Sequence, residues 1–168
     1  GQQRLGHLSP LALPGGDRAA NEPWRMAAAV LHQLGRNREI GERFVGQQAA
    51  PAVAQMLSGD IHCPPTTSMG RIFDAAAGLL GIRAVMAYEG QAAMFMEGLA
   101  QCYGDILPLD QGWRIEQGRL DLLPLLAALA DEKNAERGAA LFHATLAAAI
   151  ADWVRVLAPG EKAVVGSG

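Results

Sequence analysis

Residues 66–81 read TTSMGRIFDAAAGLLG. Ile72, Phe73, Ala76, Leu79 and Leu80 recur at the helical period and gather on one side, so the stretch predicts an amphipathic helix. The opposite side carries Gly70, Asp74, Ala77 and Gly78. An interior glycine weakens a helix by about 1 kcal/mol relative to alanine, so two of them flanking an aspartate ask for a reason. One reading is a solvated Asp74 on the outer face of the helix, with glycines that let a neighbouring backbone approach. The other is a flat ligand such as a nucleoside, lying across a face stripped of bulk and giving two hydroxyls to the carboxylate, as ribose diols do in other nucleotide sites. Arg71 serves either reading, as an i,i+3 partner of Asp74 or as a contact for phosphate.

Outward from this helix the pattern stays mostly helical. Upstream, Asn21 is placed to cap a helix with Pro23 in its first turn. Trp24, Ala27, Ala28, Leu31 and Leu34 form its apolar face, and Gly35 stops it. Helices are expected near 38–45 and 47–58, with Pro51 tolerated in the first turn of the second. Pro64 and Pro65 force extended backbone just before the central helix. Downstream, a helix is expected over about 90–102 through Ala93, Met94, Met96 and Leu99. Two more are expected over about 121–131 and 134–158, the last striped by Leu141, Phe142, Leu146, Ile150, Trp153 and Val154.

Residues 1–20 contain Pro10, Pro14 and Gly15-Gly16 and read as an extended arm that must lie against something. Between 105 and 121, apolar and polar residues alternate around Gln111-Gly112 and Gln117-Gly118, which predicts a small β-hairpin. The tail KAVVGSG begins as an apolar strand, and residues 162–168 read as the start of a strand cut from a larger domain. The expectation is therefore one mainly α domain over 1–168, with an arm at 1–20 and a helical lobe at 21–158.

The composition narrows the function classes. The 168 residues are 50% hydrophobic and carry a formal net charge of −3, with acids and bases intermixed, so a footprint for nucleic acid is missing. Cys63 and Cys102 form no CxxC pair, which suggests a reducing cytoplasm. The run LAAAIADWVRVLA at 146–158 is interrupted by Asp152 and Arg155, so no membrane span is expected. His7, His32, His62 and His143 fall in no metal-ligand spacing, and neither a nucleophile elbow nor a Walker-type loop is present. No catalytic residue and no metal ligand are expected from this chain. A second binding candidate is YEGQAA at 88–93, where Glu89, Gly90 and Gln91 open a helix whose first amides are free. Its plainer reading is an ordinary loop and helix start.

Taken in order, LALPGGDRAANEPWRMA, TSMGRIFDAAAGLLGI, YEGQAAM and FHATLAAAIADWV resemble segments of the HypF-type carbamoyltransferases of nickel-iron hydrogenase maturation, across nearly the whole chain. The resemblance implies part of the family's C-terminal carbamoyl-transfer domain, a helical lobe of the actin-like and sugar-kinase type of ATPase. It implies transfer of a carbamoyl group from carbamoyl-adenylate, made from carbamoyl phosphate and ATP, to the C-terminal cysteine of a hydrogenase maturation partner. The product becomes the cyanide ligand of the metal centre.

It also implies nucleotide contacts: Asp74 for the ribose in a GxxFD-like helix that matches Gly70, Phe73 and Asp74, with the turn of Glu89, Gly90 and Gln91 as the next nucleotide-lining segment; Arg71, in the same helix, is placed to meet a phosphate. The family's divalent metal is implied to sit on a histidine pair before this segment and an aspartate after it, neither of them in this sequence. The acylphosphatase-like and zinc-finger regions are likewise outside it, and Thr67 stands where a serine is common. The fragment alone is therefore expected to be inactive. The alternative is a non-catalytic helical interaction module whose glycine-flanked face receives a partner helix.

Overall fold

The structure is a computed structural model, described for residues 4–160. Its elements are β1 (His7–Leu8), β2 (Leu11–Ala12), α1 (Asp17–Asn21), α2 (Pro23–Gln33), α3 (Glu39–Arg43), α4 (Ala50–Gly59), β3 (Pro65–Thr66) and α5 (Met69–Leu79). They continue with α6 (Gln91–Tyr103), β4 (Arg114–Glu116), β5 (Arg119–Asp121), α7 (Leu123–Asp131) and α8 (Ala135–Leu157). The strand expected at 162–168 lies outside the described residues.

Helices α2 and α5 form the centre, with α7 packed against both and the pair α6 and α8 joined to the side of α5. Helix α2 is buried on every face from Pro23 to Leu31, not along one stripe as its spacing suggested. Three consecutive alanines, Ala27 to Ala29, leave room for neighbours all round. The one charge in that run, Arg25, is 3% exposed. Its Nε donates to Glu22 Oε2 at 2.5 Å, its Nη1 donates to the Pro14 carbonyl at 3.3 Å, and its guanidinium lies over the Trp24 ring. Burial works to raise the Glu22 carboxyl, but the Arg25 and Arg18 guanidiniums hold it below the usual range. A buried arginine thus fastens the N-terminal arm to the central helix.

The arm differs from its expected form in two ways. Residues Asp17–Asn21 make a short helix, and Asn21 ends it instead of capping the next one. Glu22 takes the position before α2, with Pro23 in the first turn where a missing amide is harmless. The extended part lies on two partners: β1 runs parallel to β5, and β2 pairs antiparallel with β3. The hairpin is narrower than 105–121, because only 114–116 and 119–121 pair. Its turn is Gln117-Gly118, both with positive φ, 51° and 79°, the conformation that matches the strand twist in a two-residue hairpin. Gln111 also has positive φ, 53°, but turns the chain without pairing it.

Long side chains anchor this sheet to α8. Trp113 Nε1 donates to Asp152 Oδ2 at 2.9 Å, and Trp153 Nε1 donates to the Gly118 carbonyl at 3.0 Å. Helix α8 is capped by Asn134, whose side chain accepts from the Arg137 amide at 2.9 Å. Its 23 residues are long and apolar enough to cross a membrane by length and composition, against the expectation from Asp152 and Arg155. Yet its first half, Gly138 to Ala149, supplies core residues such as Phe142 and packs on α6, as a core helix does. The stripe loosens toward the C-terminus, where Ile150 is 36% exposed.

Candidate functional site

Helix α5 carries the first candidate residues, and its surroundings correct the idea of a bare face. A Cβ on Gly78 would overlap the Pro23 carbonyl oxygen and stand 2.9 Å from Ala27 Cβ. The glycine is what lets the backbone of α5 lie against the backbone at the start of α2. At Gly78 the face expected to receive a ligand or a partner helix is taken by a helix of the same chain. Gly70 is different. It is exposed in the first turn of α5, and a Cβ there would meet nothing closer than Ser68 Oγ at 3.5 Å. Packing gives no reason for that glycine.

Asp74 is not solvated: it is 3% exposed. Arg71, one turn before it on the same helix, brings Nε to 2.7 Å from Asp74 Oδ2. The N–H is not aligned on that oxygen, and neither atom has a hydrogen-bond partner among the described residues. So the carboxylate is paired by charge but unsatisfied by geometry, which is an expensive state for a buried ion. The Asp74 carboxyl is pushed up to about 6: burial raises it most, the Arg71 guanidinium offsets part of that rise, and the charge of Glu89 adds a smaller upward push. Helix α6, which the second candidate segment opens, packs against α5, and the charge of Glu89 is felt at Asp74.

In that segment Gly90 stands at the start of α6 with φ 79°, a conformation that glycine adopts readily. Gln91 is 7% exposed, and its side-chain carbonyl accepts from the Ala87 amide at 2.7 Å, which fixes the turn. Glu89 is exposed. The structure thus joins Arg71 and Asp74 directly and sets Glu89 near them, while Gln91 shapes the turn that presents Glu89 and Gly90.

Sequence reading did not single out the rim of this region. Met94, 61% exposed, leaves the apolar stripe of α6 where it was expected to lie. Tyr88 Oη lies 3.8 Å from Met94 Sδ, and the Arg83 guanidinium lies over Phe95. The signal was available: Met94 and Phe95 sit off the face that Ala92 and Met96 bury. Among the described residues no group of three or more His, Cys, Asp or Glu side chains is placed to hold a metal ion.

The raised Asp74 pKa has a consequence for stability. A carboxyl whose folded pKa exceeds its unfolded value contributes stability below about pH 4 and loses it as pH rises through 6. Asp74→Asn keeps the shape of the protonated form and removes the buried charge. It is expected to be more stable than the parent at pH 7.5 by on the order of 2 kcal/mol, after discounting for solvent at Arg71. That margin should close as the pH falls to 4. Urea unfolding at the two pH values measures it, and a variant less stable at pH 7.5 contradicts it.

A mostly helical lobe with a charged pair buried in its central helix defines a class of domain, and comparison with known proteins supplies the particular one. Residues 1–168 match the family described as "Carbamoyltransferase, Kae1-like Domain, second subdomain". The chain is 51% identical to Carbamoyltransferase HypF2 of Cupriavidus necator, covering 99% of this chain and 24% of that protein. It is 44% identical to Carbamoyltransferase HypF of Rhizobium leguminosarum bv. viciae, covering 90% of this chain and 20% of that one. The solved structure of full-length HypF in its phosphate- and nucleotide-bound form superposes with a TM-score of 0.71 at 24% identity, over 92% of this chain and 21% of that one. The chain belongs to the HypF carbamoyltransferase family, and it spans a fifth to a quarter of the length of these relatives.

Proposed function

We propose that this chain is the lobe of a HypF carbamoyltransferase that contacts the nucleotide during transfer of a carbamoyl group from carbamoyl-adenylate to the C-terminal cysteine of a hydrogenase maturation partner. The observation that carries the reading is the Asp74 carboxylate, buried on α5 with an acceptor oxygen that no protein hydrogen bond satisfies among the described residues. The fold gains nothing from such a group, whereas a pair of ribose hydroxyls supplies the donors it lacks. Gly70 leaves the approach along the first turn open, and the turn at Glu89 and Gly90 borders it.

ATP and carbamoyl phosphate are the substrates of the parent enzyme in this reading, and a cytoplasmic setting suits the free thiols of Cys63 and Cys102. Bound as an adenylate, the nucleotide would supply an activated carbamoyl group. This chain's part is to hold the ribose on Asp74 and orient the rest. The divalent metal of the family finds no donor set among the described residues, so in this reading its ligands come from other parts of the parent enzyme. The full-length HypF that this chain resembles has been solved in a phosphate- and nucleotide-bound form, which is consistent with such a site. In this reading the lobe belongs to an actin-like, sugar-kinase-type ATPase domain.

The test is titration of ATP into the full polypeptide carrying Asp74→Ala. Affinity is expected to fall at least about tenfold, the value of one or two lost charge-assisted hydrogen bonds. Unchanged affinity in a folded variant removes the ribose role.

A further inference from the structure

The charged pair that marks the site also blocks it. Arg71 lies against Asp74 at 2.7 Å, and together they bury an oxygen that a ribose would have to reach. A ligand that takes Oδ2 of Asp74 must first displace the guanidinium. Displacement leaves Arg71, whose side chain is only 17% exposed, without its counter-charge. A bare nucleoside satisfies one half of the broken pair and strands the other. A nucleotide satisfies both, since its hydroxyls donate to Asp74 while its phosphate accepts from Arg71.

The arginine can make this exchange without moving the helix. Its Nε contact to Asp74 is misaligned, so little directional hydrogen bonding is lost on leaving. Its planar fork suits phosphate oxygens better than the edge-on contact it makes now. The carboxylate of Asp74 repels an anion and the guanidinium of Arg71 attracts one, so the anionic part of the ligand is favoured at Arg71.

We infer that Arg71 is a specificity-determining residue that exchanges its partner from Asp74 to the ligand phosphate, so that the site reads a ribose diol and an anionic group together and discriminates against ligands with the diol alone. The inference rests on the ribose reading of Asp74 given above.

Its test uses adenosine and AMP as probes, titrated calorimetrically into the full polypeptide as parent, Arg71→Met, Arg71→Lys and Asp74→Ala, each first shown folded by thermal melting. The parent is expected to prefer AMP over adenosine by at least about tenfold, because the phosphate adds one charge-assisted hydrogen bond and leaves no charge stranded. In Arg71→Met, adenosine binding should tighten several-fold, because its competitor for Asp74 is gone. AMP binding should weaken, so that the preference collapses toward unity. Arg71→Lys keeps the charge and should retain part of the preference. In Asp74→Ala both ligands should be lost. Two failures are distinguishable. If Asp74→Ala leaves adenosine binding unchanged, the ribose reading falls and takes this inference with it. If Asp74→Ala abolishes binding while Arg71→Met leaves the ratio of AMP to adenosine intact, the ribose reading stands and the exchange is wrong.

Discussion

Gly78→Ala is expected to lower the free energy of unfolding by about 3 kcal/mol, although alanine is intrinsically the better helix former by about 1 kcal/mol. The new methyl would overlap the Pro23 carbonyl oxygen and sit 2.8 Å from its carbon, both of them backbone atoms at the start of α2. A side chain can turn aside, but a helix start cannot. Relief would require α2 and α5 to separate, and these two helices form the centre of the fold. Gly70→Ala, on the same helix, gives the opposite sign. Nothing but Ser68 Oγ at 3.5 Å meets its methyl, so the intrinsic gain of about 1 kcal/mol should survive. Urea midpoints of the two variants measure the contrast, and equal effects would refute the packing account of Gly78.

Phe142→Ala is expected to be larger still, about 4 kcal/mol, the usual loss for truncating a buried phenylalanine. Phe142 is completely buried on α8. Its ring meets Phe73 of α5 edge-on at a centroid distance of 4.9 Å, and it meets His143 at 5.6 Å. Truncation removes the transfer energy, leaves a cavity between two helices, and deletes an aromatic pair. Phe142→Leu refills most of the volume and should lose only about 1 to 1.5 kcal/mol. Guanidinium unfolding distinguishes the two substitutions, and similar losses would mean that the site collapses around alanine.

Most of the helices were legible because their apolar residues recur at one period and their ends carry proline, glycine or asparagine. Pro51 stands in the first turn expected for it, and α8 begins within a residue of the bound its pattern gave. The boundary at Asn21 was misread, because a short helix precedes it and Glu22, held by Arg25, serves the next start. The arm's partners were invisible, since two-residue strands carry no periodicity and their pairing spans much of the chain. At the site, sequence brought out Arg71, Asp74 and the segment of Glu89, Gly90 and Gln91, but placed Asp74 on an open face. Periodicity assigned that face from its small residues. It could not tell a face left bare for a ligand from one left small so that another helix could fit, and at Gly78 the second holds. Asp74 lies one turn before that close approach and is itself buried, on a face that periodicity alone read as open.

The parallel pairing of β1 with β5 joins residues 7–8 to residues 119–120. Closing so long a loop is entropically slow, whereas the contacts of neighbouring helices form early. The arm is therefore expected to form late, over a helical body already assembled. Contacts made there, including Gly6 beneath the Gly118 carbonyl, are expected to govern how quickly the lobe opens more than how quickly it forms, which unfolding and refolding rates of a Gly6→Ala variant measure. The N-terminal strand is a latch on the lifetime of the folded state.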